Sequence, residues 1–185
     1  MNHLATSKED ILAASRDLIK ENGWAAVSIR AVASRCSVSA GTIYNYYESK
    51  ADLLSDTIES IWHEIFFHPE DEQVFHDVES CISWIYERLE YGNSQFPGFF
   101  SLHSFGFMRD EKTSGKKKMM QTWGHILNGL CEVLENDPKV RSDVFDQEFT
   151  EKKFADILFS LILVSMIRQD YDPSSVLMLV KKTLY

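Results

Sequence analysis

The residues best suited to chemistry form a short polar run, Thr42-Ile43-Tyr44-Asn45-Tyr46, which is followed closely by Lys50. Hydroxyl and amide groups exchange hydrogen bonds with base edges and with sugar and phosphate oxygens, and cations pair with phosphates. Small residues precede the run, at Ala40 and Gly41, so a backbone carrying it would be able to approach another surface closely. The pattern indicates recognition of a nucleic acid.

Two short helices are predicted to position this run. Ser28 is a good N-cap for the first helix, and Ser39 for the second, with residues 36–38 leaving room only for a tight turn. Ile43 and Tyr47 lie four residues apart and are expected to point into the core together. The apolar side chains of the first helix recur at i, i+3, i+4 and i+7 and are Ile29, Val32, Ala33 and Cys36.

The arrangement is typical of a helix-turn-helix, whose second helix enters the major groove of DNA. Lys50 comes just after that helix, beside Ser49, the predicted cap of the next helix, where a phosphate contact is natural. Phosphate contacts are predicted for Ser28, Tyr44 and Lys50, and base-edge contacts for Thr42, Asn45 and Tyr46. The predicted DNA-contact set is Ser28, Arg30, Thr42, Tyr44, Asn45, Tyr46 and Lys50.

Residues 7–65 resemble the DNA-binding domain of the TetR family of bacterial transcription regulators. The family usually has glycine in the turn where this chain has Ser37, and a positive φ there would cost serine about 1 kcal/mol. The resemblance implies that Tyr47 is a buried aromatic residue and that an inducer binds a larger C-terminal domain and shifts two DNA-binding heads apart. The matching stretches are Ile11-Leu12-Ala13-Ala14, Glu21-Asn22-Gly23, Ser28-Ile29-Arg30, residues 38–47 and Ser49-Lys50.

The hydrophobic periodicity predicts an all-α fold of about nine helices, without strands or repeats. We predict a three-helix DNA-binding domain over residues 1–50, a connecting helix at 51–67, and a ligand-binding and dimerisation domain over 51–185. Further helices are predicted at 8–21, 74–91, 119–134, 148–168 and 174–184, with a charged loop at 110–118.

The charge is distributed unevenly along the chain. Residues 1–50 carry six basic and five acidic residues, whereas residues 51–185 carry thirteen and twenty-three, for a total net charge of −9. An acidic body should repel DNA and direct the near-neutral N-terminal region toward it. Three scattered cysteines, no signal-peptide pattern and no apolar run of about 20 residues predict a cytoplasmic protein without a membrane segment.

The sequence offers no support for catalysis, a cofactor or a metal site. It lacks the familiar nucleophile, phosphate-loop and zinc-protease motifs. The spacing of His63, His68 and His76 across Pro69 does not suit metal ligation, and the basic run at residues 116–118 is interpreted as a solvated loop.

The middle of the chain is unusually rich in aromatic residues, which leaves two interpretations open. These residues form either a well-packed core or a small-molecule pocket between helices. A ligand there would be apolar and neutral or cationic, since nearby arginines are few. The candidate pocket residues are Trp84, Arg88, Tyr91, Phe99, Phe100, His103, Phe107, Met120 and Trp123.

The last two predicted helices are apolar on nearly all sides and so need cover on every side. We interpret them as half of a four-helix bundle between two subunits; the alternative is two core helices of a monomer. The favoured function is a ligand-responsive dimeric repressor of a near-palindromic operator in double-stranded DNA. The alternatives are a DNA-binding adaptor controlled by a protein partner and a helical enzyme on the same fold.

Overall fold

The computed structural model describes residues 6–66, 75–100 and 114–185, apart from the side chains of residues 114–119 and 122. Within these ranges every regular element is helical, which confirms the predicted all-α fold. Eight α-helices occur in the described ranges, against about nine predicted for the whole chain. They are α1 (Lys8–Asn22), α2 (Ile29–Arg35), α3 (Ala40–Tyr44), α4 (Lys50–Phe66), α5 (Val78–Gln95), α6 (Ser114–Asn136), α7 (Glu151–Arg168) and α8 (Ser174–Leu184), with a 3₁₀ turn at Trp24–Ala26.

Local capping chemistry sets the start and end of α1. The Ser7 side chain accepts from the backbone amide of Asp10, and the Asp10 carboxylate accepts from the backbone amide of Ser7, which completes a capping box. The helix stops at Gly23, whose φ of 77° suits a residue without Cβ. The buried face of α1 includes Ile11 and Ile19, which pack in the core of the N-terminal helices.

The turn between α2 and α3 has the left-handed backbone expected where relatives carry glycine. Ser37 has a φ of 57°. The turn is held by the Val38 amide, which donates to the Ala33 carbonyl at 2.9 Å. The packing of α2 and α3 therefore outweighs the local cost of placing a serine in this region.

Helix α4 joins the N-terminal helices to the rest of the molecule. Its residues Leu53, Ile61 and Ile65 are fully buried, and it packs against α1, α5 and α6. The Glu64 carboxylate pairs with Arg16 at 3.0 Å and with Lys20 at 2.6 Å, both on α1. Because these groups are partly shielded from water, the pairs fix α4 against α1 more firmly than exposed pairs would.

The structure corrects several predicted helix boundaries. Helix α5 begins at Val78, four residues later than predicted, because Asp77 caps it by accepting from the Ser80 amide. It continues past Gly92, which lies so close to α4 that an added Cβ would come within 2.6 Å of Ile65. The predicted loop at 110–118 is wrong for residues 114–118, which form the first turns of α6; lysine is a good helix former, so the basic run does not interrupt a helix.

Helix α8 packs on α5, and α7 packs on α6. Tyr86 of α5 shares a 2.8 Å hydrogen bond with Ser165 of α7. Thr150 caps α7 by accepting from the Lys153 amide, so the helix starts three residues later than predicted, whereas α8 has the predicted bounds. No helix in the described ranges is long and apolar enough to cross a membrane.

The substitution Ser37→Gly should stabilise the protein, because glycine adopts the φ of 57° without the steric cost that serine pays. We expect the free energy of unfolding to rise by about 1 kcal/mol in chemical denaturation. Ser34→Gly is the matched control. Ser34 is an exposed residue inside α2, where glycine should lower stability by a few tenths of a kcal/mol. A loss of stability in both variants would contradict the assignment of strain to Ser37.

Candidate nucleic-acid interface and interior cavity

Helix α3 presents a small, polar and exposed face. Its N-cap is Ser39, whose hydroxyl accepts from the Thr42 amide at 3.2 Å and lies 3.0 Å from the Thr42 hydroxyl. Tyr44 is 55% exposed, and Asn45 is also exposed. The regular helix ends at Tyr44, but the amides of the next residues still bond back to Thr42 and Ile43, so the polar run stays on one turn of backbone.

Gly41 leaves the start of this face of α3 without a projecting side chain. A Cβ added there would meet only the Ser39 hydroxyl oxygen, at an ordinary 3.6 Å. The interior of the protein therefore does not require glycine at this position. Its absence of a side chain matters only for what approaches α3 from outside.

The opposite side of α3 fixes it to the protein. Ile43 is fully buried and Tyr47 is 4% exposed, as the four-residue spacing predicts. Burial raises the pKa of the Tyr47 phenol, so this side chain stays neutral inside the core. The Lys8 ammonium lies 5.8 Å from the centre of the Tyr47 ring and pairs with Asp56 at 2.6 Å, which links α1, α4 and the segment after α3.

Tyr46 has a position that differs from its predicted role as a base reader. Its half-buried hydroxyl donates to the Thr6 backbone carbonyl at 2.7 Å. This hydrogen bond commits the hydroxyl within the protein and ties the segment before α1 to the end of the polar run. We therefore assign Tyr46 to positioning this surface, a role that the sequence pattern could not reveal because the two residues lie forty positions apart.

Two cations in the helices before and after α3 have no internal partners in the described part of the chain. Arg30, at the start of α2, and Lys50, the first residue of α4, are both exposed and take part in no hydrogen bond or ion pair there. Ser49 precedes Lys50 and caps α4, with the Asp52 amide donating to its hydroxyl at 3.2 Å. Both cations are free to contact phosphates.

Arg35 contrasts with these two residues. It bonds Glu21 at 2.7 Å and 2.5 Å, and hydrogen bonding from Arg35 lowers the pKa of the Glu21 carboxyl. Ser28 remains available in part: its oxygen accepts from the Ala31 amide at 3.1 Å, and its own proton is left to donate. Ser28 and Arg30 thus lie at the start of α2, which packs against α3, and Lys50 begins the helix that follows α3.

Residues 11–57 match the family model described as bacterial regulatory proteins of the tetR family. Residues 11–57 form a TetR-family domain. A curated relative, the HTH-type transcriptional regulator UidR of Escherichia coli K12, is 38% identical over 48 residues. That alignment covers 26% of this chain and 24% of UidR, so it concerns the TetR-family domain alone.

Solved structures extend the likeness to the whole fold. FadR from Bacillus subtilis, in complex with stearoyl-CoA, gives a TM-score of 0.66 at 19% identity, covering 97% of this chain and 100% of FadR. A TetR transcription regulator from Haloarcula marismortui gives 0.66 at 18% identity, covering 96% and 95%. At identities this low, the likeness concerns the fold of the chain alone.

Behind the TetR-family domain a cavity of about 520 Å³ opens between α4, α5 and α6. Its volume lies in the range of roughly 300–1,000 Å³ that is typical of small-molecule pockets. Among the described lining residues, the polar or charged side chains His125, Glu132 and Asn136 all belong to α6 and are exposed. The apolar wall includes Phe66, Phe75, Trp84, Ile85, Ile126 and Leu130.

Of the predicted pocket residues, Trp84 lines this cavity. Phe99 and Phe100 are instead fully buried and pack against Trp62 at ring distances of 5.2 and 5.6 Å. These two residues follow the alternative interpretation, an aromatic core. His103 and Phe107 lie outside the described residues.

The other predicted pocket residues also lie away from the cavity. Arg88 donates to the backbone carbonyls of Glu64, at 3.1 Å, and of Ile65, and its guanidinium stacks 4.6 Å from the Tyr91 ring centre. Met120 is 55% exposed, and Trp123 packs on Phe159 of α7. The sequence missed His125, Glu132 and Asn136, although their spacing of seven and four residues along α6 places them on one helical face.

Within the described ranges, no group of three histidine, cysteine, aspartate or glutamate residues has a geometry suited to a metal ion. Cys81 lies in the cavity wall, where burial raises the pKa of its thiol to about 12. The thiol is therefore protonated at neutral pH and contributes a neutral surface.

Lys50→Ala should weaken binding to every DNA sequence alike, because the lost contact is with a phosphate. The slope of log affinity against log salt should fall in magnitude by about 1. Fluorescence anisotropy of a labelled duplex across a salt series measures this slope. Lys152→Ala, which removes an exposed lysine from α7, should leave the slope unchanged, and an equal slope in both variants would remove Lys50 from the contact set.

Gly41→Ala should separate folding from DNA binding. Alanine favours helix and meets no close neighbour inside the protein, so thermal stability should be equal or higher. The added methyl group should cost about 1–3 kcal/mol in operator affinity if α3 packs tightly on DNA. Gly124→Ala, at an equally open position on α6, is the control and should bind DNA normally. Unchanged operator binding by Gly41→Ala would argue against close approach of α3.

Proposed function

We propose that this protein is a transcription regulator that binds a near-palindromic DNA operator as a homodimer and responds to a small molecule, most simply as a repressor. The observation that carries the proposal is the exposed polar face of α3, with Arg30 and Lys50 exposed and unpaired in the helices before and after it in the described structure. Because the matched family consists of regulatory proteins, regulation is better supported than catalysis.

The DNA contacts are divided between positioning and reading. Ser28, Arg30 and Lys50 hold phosphates, together with the Tyr44 hydroxyl at the exposed end of α3. Thr42 and Asn45 reach base edges, since their amide and hydroxyl groups suit the donor and acceptor pattern of the major groove. The acidic residues lie mainly outside residues 1–50, so the electrostatic field favours approach by this end of the molecule.

A DNA-binding assay tests the first part of the proposal. A duplex from beside the protein's own gene should bind saturably and resist excess unrelated DNA of the same length. A typical specific site is bound about 10³–10⁷ times more tightly than other DNA. Equal affinity for both duplexes would contradict the presence of an operator in the duplex from beside the gene. No binding to either duplex would contradict the DNA-binding function.

The outer face of α7 and α8 supports dimerisation. Apolar side chains there are exposed in the single chain: Ile157, Val164, Ile167, Met178 and Leu179. On α7 the spacing of Ile157, Val164 and Ile167 places them on one helical face, and exposed apolar side chains grouped on a face are typical of an interface. A second copy is the natural occupant, since a two-fold dimer places two recognition helices about one DNA turn, ~34–36 Å, apart.

Met178→Glu should disrupt the dimer, because Met178 is 57% exposed in the chain and a buried unpaired carboxylate at an interface costs several kcal/mol. Light scattering at micromolar concentration should show a shift from dimer to monomer or aggregate. Met120→Glu is the matched control, since Met120 is 55% exposed on α6, and it should remain dimeric. A monomeric wild-type protein would refute this part of the proposal.

Ligand control is supported by the cavity and its connection to α4. Phe66 lines the cavity at the end of α4, and Glu64 on the same turn bonds to α1 through Arg16 and Lys20. A ligand that displaces Phe66 would therefore shift the N-terminal helices. FadR, a protein of similar fold, was solved with stearoyl-CoA, which supports small-molecule control over control by a protein partner.

A further inference from the structure

The cavity combines an aromatic wall with a carboxylate at its rim. We infer that it takes an organic cation with an aromatic or branched apolar body, and that Glu132 selects the charge of that ligand. The inference rests on the proposed ligand response and adds the chemical class of the effector.

The aromatic wall comes from three different parts of the chain. The Trp84 ring of α5 lies 5.3 Å from the Phe75 ring and 6.0 Å from the Phe66 ring, between ring centres. Because these pairs are tilted or edge-on, the three rings line the cavity with both ring faces and ring edges. Aromatic faces attract organic cations through their quadrupole, most strongly for tryptophan, and they also bury the apolar body of a ligand.

Glu132 supplies the negative charge. It is exposed at the cavity rim, and its carboxylate takes part in no hydrogen bond or ion pair in the described part of the chain. The nearby Asn136 amide donates to the Glu132 backbone carbonyl at 2.7 Å instead. The carboxylate is thus available to pair with a cationic group that stays at the water-facing end of a bound ligand.

None of the described lining residues is lysine or arginine, so an anionic ligand finds no permanently charged partner among them. Arg88, the arginine of α5, already donates hydrogen bonds to the carbonyls of Glu64 and Ile65. Cys81 presents a protonated thiol. Burying a ligand carboxylate or phosphate without a cation is strongly unfavourable. The cavity therefore differs in chemistry from a site for an acyl-CoA, which carries several phosphates.

Tetraphenylphosphonium and tetraphenylborate test the charge preference, because they have nearly the same shape and opposite charge. Isothermal titration calorimetry with the full chain should show that the phosphonium ion binds more tightly, by roughly three- to tenfold. Glu132→Gln should reduce this ratio toward one. Glu135→Gln, which changes an exposed carboxylate of α6 outside the cavity lining, should leave the ratio intact.

A second pair of variants tests the location. Gly129 lines the cavity, and a Cβ added there meets nothing within 4 Å, so Gly129→Leu should fill the space without straining the helix. Phosphonium binding should fall at least tenfold. Gly124→Leu makes the same change at an open position of α6 outside the cavity lining, and should leave binding unchanged.

Tighter binding of the borate, equal binding of both ions, or no binding of either would overturn the inference, as would a preference that survives Glu132→Gln. These results leave the proposed function intact if the operator duplex still binds in the absence of any ligand. Conversely, selective phosphonium binding that Gly129→Leu removes supports the inference even if no operator is found.

Discussion

Glu64 joins three helices at the end of α4. Its carboxylate bonds to Arg16 and Lys20 of α1, while its backbone carbonyl accepts from Arg88 of α5. The last carbonyls of a helix have no hydrogen-bond donors within it, and here the Arg88 guanidinium donates to those of Glu64 and Ile65. The Arg88 side chain also stacks on Tyr91, so the end of α4 is fixed against both the N-terminal helices and the helices that surround the cavity. A movement of this turn of α4 would therefore displace both α1 and α5.

The recognition surface depends on that arrangement because it has little internal structure of its own. Helix α3 has five residues, too few to be stable alone. It is held by Ile43 and Tyr47 in the core, by the Tyr46 bond to Thr6, and by the packing of α2. Because Ile43 and Tyr47 point into the core, the small and polar residues between and before them remain exposed on the surface that we expect to face DNA.

The cavity and the outer face of α7 and α8 are both apolar, but they differ in shape. The cavity is concave, with aromatic rings and a few polar groups at one edge, which suits a small molecule. The exposed apolar residues of α7 and α8 project aliphatic side chains and Met178 from two helices, which suits another helical surface. Shape separates the ligand proposal from the dimer proposal, although hydrophobicity alone does not.

The sequence by itself determined the local features of the DNA-binding region. The positive φ at Ser37 follows from the resemblance to a family that usually has glycine there, whereas the caps at Ser28 and Ser39 and the inward pair Ile43 and Tyr47 follow from interactions within a few residues. Such interactions depend on side-chain type and helical spacing, and both can be read directly from the chain. The all-α fold followed for the same reason, whereas the predicted domain boundary at residue 50 stays a prediction.

Only the tertiary structure decided which distant groups meet. The sequence identified Arg88 as a candidate ligand cation, but the end of α4 takes up its guanidinium. It likewise suggested Phe99 and Phe100 for the pocket, but both fill the core beside Trp62. The cavity forms where α6 faces Phe66 and Trp84, a pairing of helices that periodicity cannot specify. Periodicity shows which face of a helix is apolar, but the packing of the whole chain determines what that face contacts.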